Sequence, residues 1–209
     1  MKAVIFDIDG TLLHTSDIDG ELYDAAVRAV LGPVQMRRSW GDYTHVTDVG
    51  ILKEVLIDNG FRVSNSTIVD IRSAFLELLS AHIDRHGPIA EVRGARQFVQ
   101  ALQRCGTGIA YATGGWRASA RMKLESAGFP VSGIPLATSD DSEVRVEIMR
   151  IALRRLGGNF SDITYYGDGD WDRAATRQLG WKFEAVGKTL GGITEYIAEA
   201  APMGAEAKS

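Results

Sequence analysis

Three short apolar stretches of this chain each end in residues suited to chemistry on a phosphoryl group. Lys2 to Phe6 runs straight into Asp7-Ile8-Asp9-Gly10-Thr11. Gly108 to Ala112 leads to Thr113 and then Gly114-Gly115, and Ile163 to Tyr166 leads to Gly167-Asp168-Gly169-Asp170-Trp171-Asp172. Carboxylates gathered at one point repel each other and lose hydration, so they require a cation among them. Oxygen ligands without a His or Cys cluster favour magnesium over zinc. Turns at Gly10-Thr11 and Gly114-Gly115 let backbone amides converge on an anion, and the Thr113 hydroxyl adds a donor. A carboxylate fixed where Asp7 lies, beside a metal-shielded phosphate, can attack phosphorus and form an aspartyl phosphate. Asp9, two residues on, could protonate the leaving oxygen and then activate water.

Each piece also has a purely structural explanation. Asp9-Gly10 is a turn signal, Thr113 could cap the helix that starts near Trp116, and Asp170 and Asp172 suit a helix's first turn. Their joint occurrence after three buried strands favours the chemical reading.

The elements that must position these groups follow from the hydrophobic pattern. Further short strands are expected at Ile134 to Ala137 and Trp181 to Val186. Helical stripes separate the strands: Ala95, Phe98, Val99 and Leu102; Ala118 through Ala127; Val144, Ile148, Ile151 and Ala152; and Trp171 to Leu179. The alternation predicts an α/β fold, a mostly parallel sheet with helices on both faces. In such a sheet, loops at the carboxyl ends of the strands line the ligand crevice. Residues 14–88 behave differently, with helical patterns at Leu22 to Leu31, Asp48 to Asn59 and Thr67 to His82, the last capped by Ser66. They are expected to form a helical insertion, leaving 1–13 and 89–200 as the core and 201–209 as a disordered tail.

Composition narrows the function classes. The chain has 209 residues, 45% of them apolar and 24% charged, with a formal net charge of −4. That suits one globular core with an insertion, and no basic cluster points to nucleic acid. The single cysteine, Cys105, forms no internal disulfide and no paired-cysteine metal site, and it is expected to be structural. Too few residues precede the first acidic group for a secretory signal, and no apolar run approaches the roughly 18 residues needed to span a bilayer. The expectation is a cytoplasmic protein, monomer or homodimer, without nucleic-acid or membrane partners.

The motifs match a known pattern. Asp7-Ile8-Asp9-Gly10-Thr11-Leu12, Ile109-Ala110-Tyr111-Ala112-Thr113 and Gly167-Asp168-Gly169-Asp170-Trp171-Asp172 resemble the signature of the haloacid dehalogenase-like superfamily, in order and spacing. The resemblance implies a Rossmann-like core and, from the insertion's position after the first motif, the helical-cap phosphatase subgroup. It implies that Asp7 is the nucleophile and a magnesium ligand, and that Asp9 is the acid/base with a backbone carbonyl reaching the metal. It implies that Thr113 binds phosphate with Gly10, Gly114 and Gly115, that Asp168 is a direct metal ligand, and that Asp172 holds the metal's waters or another ligand; Asp170 is the weaker candidate.

One departure stands out. The family normally supplies a Lys beside the nucleophile, and no Lys occurs between Lys123 and Lys182. The nearest positional match is Arg145, expected to supply the charge with a different reach and a bidentate fork; Arg150 and Arg154 are weaker candidates, read as solvated helix positions.

Specificity is expected from the cap. The segment Trp40 to Asp48 could line the pocket mouth, with His45 as a substrate contact, or it could be a surface loop in which Thr47 or Asp48 caps the next helix. Arg117 could approach the substrate or point outward. The expected activity is magnesium-dependent hydrolysis of a small phosphorylated metabolite, resembling phosphoglycolate or sugar-phosphate phosphatases. The alternatives are a phosphomutase using the same aspartyl phosphate and a non-enzymatic phospho-acceptor or binding module.

Overall fold

A computed structural model describes residues 1–197; the expected tail, 201–209, lies outside the described residues. Five parallel strands form one sheet: β1 (Lys2–Phe6), β2 (Gly108–Ala112), β3 (Leu136–Ala137), β4 (Asp162–Gly167) and β5 (Lys182–Ala185), in the order β3-β2-β1-β4-β5. β1 is central because it is apolar on both sides. Val4 and Phe6 face one hydrophobic cluster and Ile5 the other, the period of two that a strand imposes.

Helices cover both faces. On the Val4 and Phe6 side lie α4 (Ala95–Arg104) and α5 (Arg117–Ser126), seated through Phe98, Val99, Leu102, Ala120 and Leu124. On the other side lie α6 (Arg145–Leu156) and α7 (Asp170–Leu179), seated through Ile148, Met149, Ala152 and Ala175. The strand order reverses at β1, whose two neighbours, β2 and β4, are reached by crossovers in opposite directions. The carboxyl ends of β1 and β4 therefore flank a topological switch point, where such sheets bind ligands.

Between β1 and α4 the regular elements are helical: α1 (Ser16–Leu31), a single 3-10 turn (Trp40–Asp42), α2 (Asp48–Asp58) and α3 (Asn65–His86). This is the helical cap. Its own core comprises Tyr23, Leu52, Leu56, Phe75 and others, and it also takes in Trp116 from the loop after β2. The Trp116 ring is fully buried and stacks on Tyr23 at 5.6 Å, pinning cap to core beside the strand ends.

Some element ends differ from the sequence expectation. α1 begins at Ser16 rather than Leu22, because its first turn carries Asp17 and Asp19, which no apolar stripe reveals. α3 starts two residues early, capped by Ser64 rather than Ser66, and runs on to His86 through polar residues. β3 shrinks to two residues, the extent of its pairing with β2.

Candidate active site

Asp7 follows β1, and its amide donates to the Tyr166 carbonyl, extending the ladder so that the side chain stands at the strand end. Asp168 follows β4. Asp172 lies in the first turn of α7, fully buried, where it accepts from the Gly169 amide and the Tyr165 hydroxyl, each at 3.3 Å. One carboxylate oxygen from each of Asp7, Asp168 and Asp172 lies within 4.8 Å of the others.

Three carboxylates at that spacing, Asp7 and Asp172 buried and Asp168 half-buried, oppose one another's ionisation. Asp7 is pushed well above the usual carboxylate range, first by burial and then by Asp172, against the pull of Arg145. Asp168 is pushed up to about 7 by burial, then by Asp172 and Asp9. Asp172 is raised by burial, with Arg145 opposing. An all-oxygen set carrying unrelieved negative charge fits a hard divalent cation such as magnesium. Asp170, by contrast, is exposed and paired with Arg173 at 3.7 Å.

Arg145 opens α6 and points back into this cluster. Its Nη1 donates to Asp7 Oδ1 at 3.1 Å, its Nη2 donates to the Val46 carbonyl of the cap at 3.2 Å, and its Nε lies 3.5 Å from Asp172 Oδ1. The guanidinium is almost buried, and nearby Asp172 and Asp7 raise its pKa despite the opposing effect of burial, which is the larger single influence. A cation thus sits between Asp7 and Asp172.

At two of the site glycines, Gly10 and Gly114, nothing larger fits, whereas a Cβ on Gly115 would meet no atom closer than 3.5 Å. Gly10 is left-handed (φ 74°), and a Cβ there would fall 1.9 Å from Asp168 Oδ2. A Cβ on Gly114 would fall 2.8 Å from the Val46 carbonyl and 3.0 Å from Arg145 Nη2. Thr113 is buried, and its hydroxyl accepts from the Gly115 amide at 3.1 Å.

Asp9 is held from one side. Its Oδ1 accepts from Thr15 Oγ1 at 2.5 Å and from Lys123 Nζ at 2.6 Å. Lys123, on α5, is fully buried and donates also to Asp19 Oδ2 of α1 at 2.8 Å. Burial alone would discharge this ammonium, but Asp19 and Asp9 outweigh it and raise the pKa. Asp19 is itself pushed up to about 6, by burial first and then by Asp9.

These groups surround a cavity of about 260 Å³ between core and cap. Asp7, Asp9, Thr113, Gly114, Gly115, Arg145 and Asp168 line its core end; Asp17, Asp19, Tyr23, Trp40, Thr47 and Asp48 line its cap end. Thr47 caps α2, accepting from the Gly50 amide, and Asp48 Oδ2 accepts from the Trp116 amide at 2.8 Å. Burial, then the Asp19 charge, pushes Asp48 up to about 8, with Lys123 opposing.

Two expected substrate contacts are placed elsewhere. His45 borders a separate hollow with Lys53, Glu54 and Glu143. Arg117 is committed to the Leu136 carbonyl at 3.1 Å and to Asp141 at 2.5 Å, its side chain turned along the end of β3. Sequence reasoning missed Lys123 and Asp19; of the Trp40 to Asp48 segment expected at the pocket mouth, Trp40, Val46, Thr47 and Asp48 line the cavity. A signal for Lys123 did exist: it shares a helix face with Ala120, Leu124 and Ala127, so a charge interrupts an apolar stripe.

Residues 1–180 match the family model of haloacid dehalogenase-like hydrolases, and the chain belongs to that family. A hydrolase from Pseudomonas syringae is similar in structure, with TM-score 0.72 and 19% identity over 88% of this chain and 84% of that one. CbbY from Rhodobacter sphaeroides, solved in complex with phosphate, gives 0.70 and 22% over 92% and 89%. β-Phosphoglucomutase from Clostridium difficile gives 0.71 and 13% over 90% and 85%. A search of the curated proteins found no match. At these identities the likenesses establish the fold. Among the described residues, no helix is long and apolar enough to cross a membrane.

Proposed function

We propose that this enzyme hydrolyses the phosphate monoester of a small metabolite through an aspartyl phosphate on Asp7. The observation that carries the reading is the Arg145 guanidinium on Asp7 Oδ1, beside a buried carboxylate triad and opposite Asp9 across one cavity. Magnesium, held by Asp7, Asp168 and Asp172, would neutralise the carboxylates and the bound phosphate.

The steps on this chain's own residues follow from that arrangement. The Asp7 carboxylate forms a bond to phosphorus as the bond to the leaving alcohol breaks. Arg145 orients that carboxylate and offsets charge on the transferring group, and Thr113 with the Gly114 amide cradles the phosphoryl oxygens, the Gly115 amide holding the Thr113 hydroxyl in place. Asp9 gives its proton to the departing oxygen. It then accepts a proton from the water that attacks phosphorus, and the Asp7–phosphorus bond breaks to release phosphate. The cap, joined to the core through Trp116 and the Val46 carbonyl, excludes bulk water.

The cap end favours a leaving group without a second anion. It presents the carboxylates of Asp17 and Asp19, the protonated carboxyl of Asp48 and the rings of Tyr23 and Trp40, while Arg145 is committed to Asp7. A neutral or cationic alcohol suits that lining; the carboxylate of phosphoglycolate or the second phosphate of a bisphosphate would meet repulsion.

The test is phosphate release from a panel of ethanolamine phosphate, glycerol 3-phosphate, glucose 6-phosphate and phosphoglycolate, with and without magnesium, beside Asp7→Asn. Many turnovers that require both magnesium and Asp7 support the proposal. Isomer formation without net phosphate release would make the enzyme a mutase. A single stoichiometric phosphorylation would make it a phospho-acceptor.

A further inference from the structure

Lys123 has no place in that mechanism, yet it is the most unusual group in the fold: an ammonium with no exposed surface, in the last turn of a core helix. Burying a charge is costly unless it is paired and hydrogen-bonded. Here the pairing is specific, one bond to Asp9 Oδ1 from the core side and one to Asp19 Oδ2 of the cap's first helix. We propose that Lys123 is a positioning residue that fixes the rotamer of Asp9 so that Oδ2, the proton-carrying oxygen, faces the phosphoryl site. This rests on the acid/base reading of Asp9 given above.

The geometry separates the two oxygens of Asp9. Both fixed donors, Lys123 Nζ and Thr15 Oγ1, lie on Oδ1. Oδ2 lies toward Gly115: a Cβ built there would lie 3.8 Å from it, 3.7 Å from Asp48 Oδ2 and 3.5 Å from Thr113 Oγ1. One oxygen is anchored and its partner is left over the phosphate cradle. The carboxylate of Asp19 answers the ammonium's charge, so the pair orients Asp9 without adding net positive charge beside it. In the first step the proton on Oδ2 passes to the leaving alcohol oxygen as the phosphorus–oxygen bond breaks. Asp9 is left as a carboxylate still held through Oδ1. Because Asp19 belongs to α1, the anchor also ties the acid of the core to the first turn of the cap.

A misplaced acid should penalise substrates by how much they need its proton. An alkoxide is a poor leaving group unless protonated, whereas nitrophenolate departs without help. The value of kcat/KM reports events up to leaving-group departure, so it isolates this step from the shared hydrolysis of the intermediate. Lys123→Met alone would strand Asp9 and Asp19 side by side. The double variant Lys123→Met/Asp19→Asn removes one charge of each sign and preserves the net charge of the cluster, and its melting curve verifies the fold.

For that double variant, kcat/KM on the fastest alkyl ester of the panel is expected to fall at least about tenfold further than on p-nitrophenyl phosphate. Lys123→Arg, which keeps a cation between the carboxylates, should return the alkyl-to-aryl ratio to within about threefold of the wild type. Asp9→Asn serves as the reference and should show the same unequal loss, more deeply. If Asp9→Asn is unequal while the double variant lowers both esters alike, or neither, Lys123 is only structural and the proposal falls. It falls too if Lys123→Arg loses the ratio as far as the neutral variant. If Asp9→Asn itself lowers both esters equally, the acid/base reading fails, and this inference fails with it.

Discussion

The two ends of the cavity are built on opposite principles. At the core end every functional group is delivered by the end of a strand or the first turn of the helix that follows: Asp7 after β1, Thr113 after β2, Asp168 and Asp172 after β4, Arg145 at the start of α6. At the cap end the groups come from separate helices and meet only in three dimensions: Asp19 from α1, Asp48 from α2 and Lys123 from α5. Each residue of the first set is marked in the sequence by the strand or helix start beside it, although its contacts span the chain, as between Arg145 and Asp7, 138 residues apart. The second set carries no such mark, and its contacts are as distant, as between Lys123 and Asp9, 114 residues apart.

The comparison is broken most sharply at the core end. Asp7→Asn is expected to lower kcat at least about a thousandfold on every ester, since it removes the nucleophile itself. Retained turnover in a steady-state phosphate assay would refute the assignment. Arg145→Ala should cost about a hundredfold to a thousandfold in kcat, the scale of losing one charge-stabilising donor at a reaction centre. Arg145→Lys should recover part of that, because a point charge replaces the fork that now spans Asp7, the Val46 carbonyl and Asp172. An equal loss in the two variants would show that geometry rather than charge is required.

Smaller effects are expected at the cap end. Ethanolamine phosphate should exceed phosphoglycolate by about tenfold or more in kcat/KM, the repulsion of a second anion by Asp17 and Asp19 being the cause. Measured parity would remove the charge argument. Metal binding lies between the two ends in size. Magnesium should raise the melting temperature by about a few degrees, and more at pH 8 than at pH 5.5. Asp168, pushed up to about 7, still holds its proton at the lower pH. Asp168→Asn should abolish most of that shift.

The most delicate test is at Asp48, whose folded value of about 8 lies above its ordinary 3.8. Between those values the folded chain keeps a proton that the unfolded chain has released. The associated stability is complete below pH 4 or so and is lost as pH rises through about 8. Asp48→Asn, which cannot ionise but can still accept from the Trp116 amide, should gain on the wild type in melting temperature as pH rises from 5 to 8. A constant difference would contradict the burial of that carboxyl.

The same contrast explains what could be read from the sequence. Asp7, Thr113 and Asp168 were legible because each follows an apolar run that can only be a buried strand, and the carboxyl ends of parallel strands converge. Arg145 was legible as the nearest of three candidate cations, ahead of Arg150 and Arg154, and it is the one that reaches Asp7. The start of α1 was not, because Asp17 and Asp19 serve the cavity and so break the apolar period that marks a helix. Arg117 looked close to the phosphate loop, but its backbone begins a helix, and its side chain turns to the Leu136 carbonyl and Asp141. Proximity in sequence gave its position but not its direction. His45, two residues before the α2 cap, faces the neighbouring hollow for the same reason.

The central claim is that Asp7 carries the phosphoryl group. The most direct measurement mixes enzyme, magnesium and p-nitrophenyl phosphate, quenches in acid within milliseconds, reduces with borohydride, and maps the modified residue by mass spectrometry. The expected result is homoserine at position 7, in an amount that tracks the nitrophenol burst and is absent from Asp7→Asn. Steady phosphate release with position 7 unmodified, or modification at another aspartate, would contradict it.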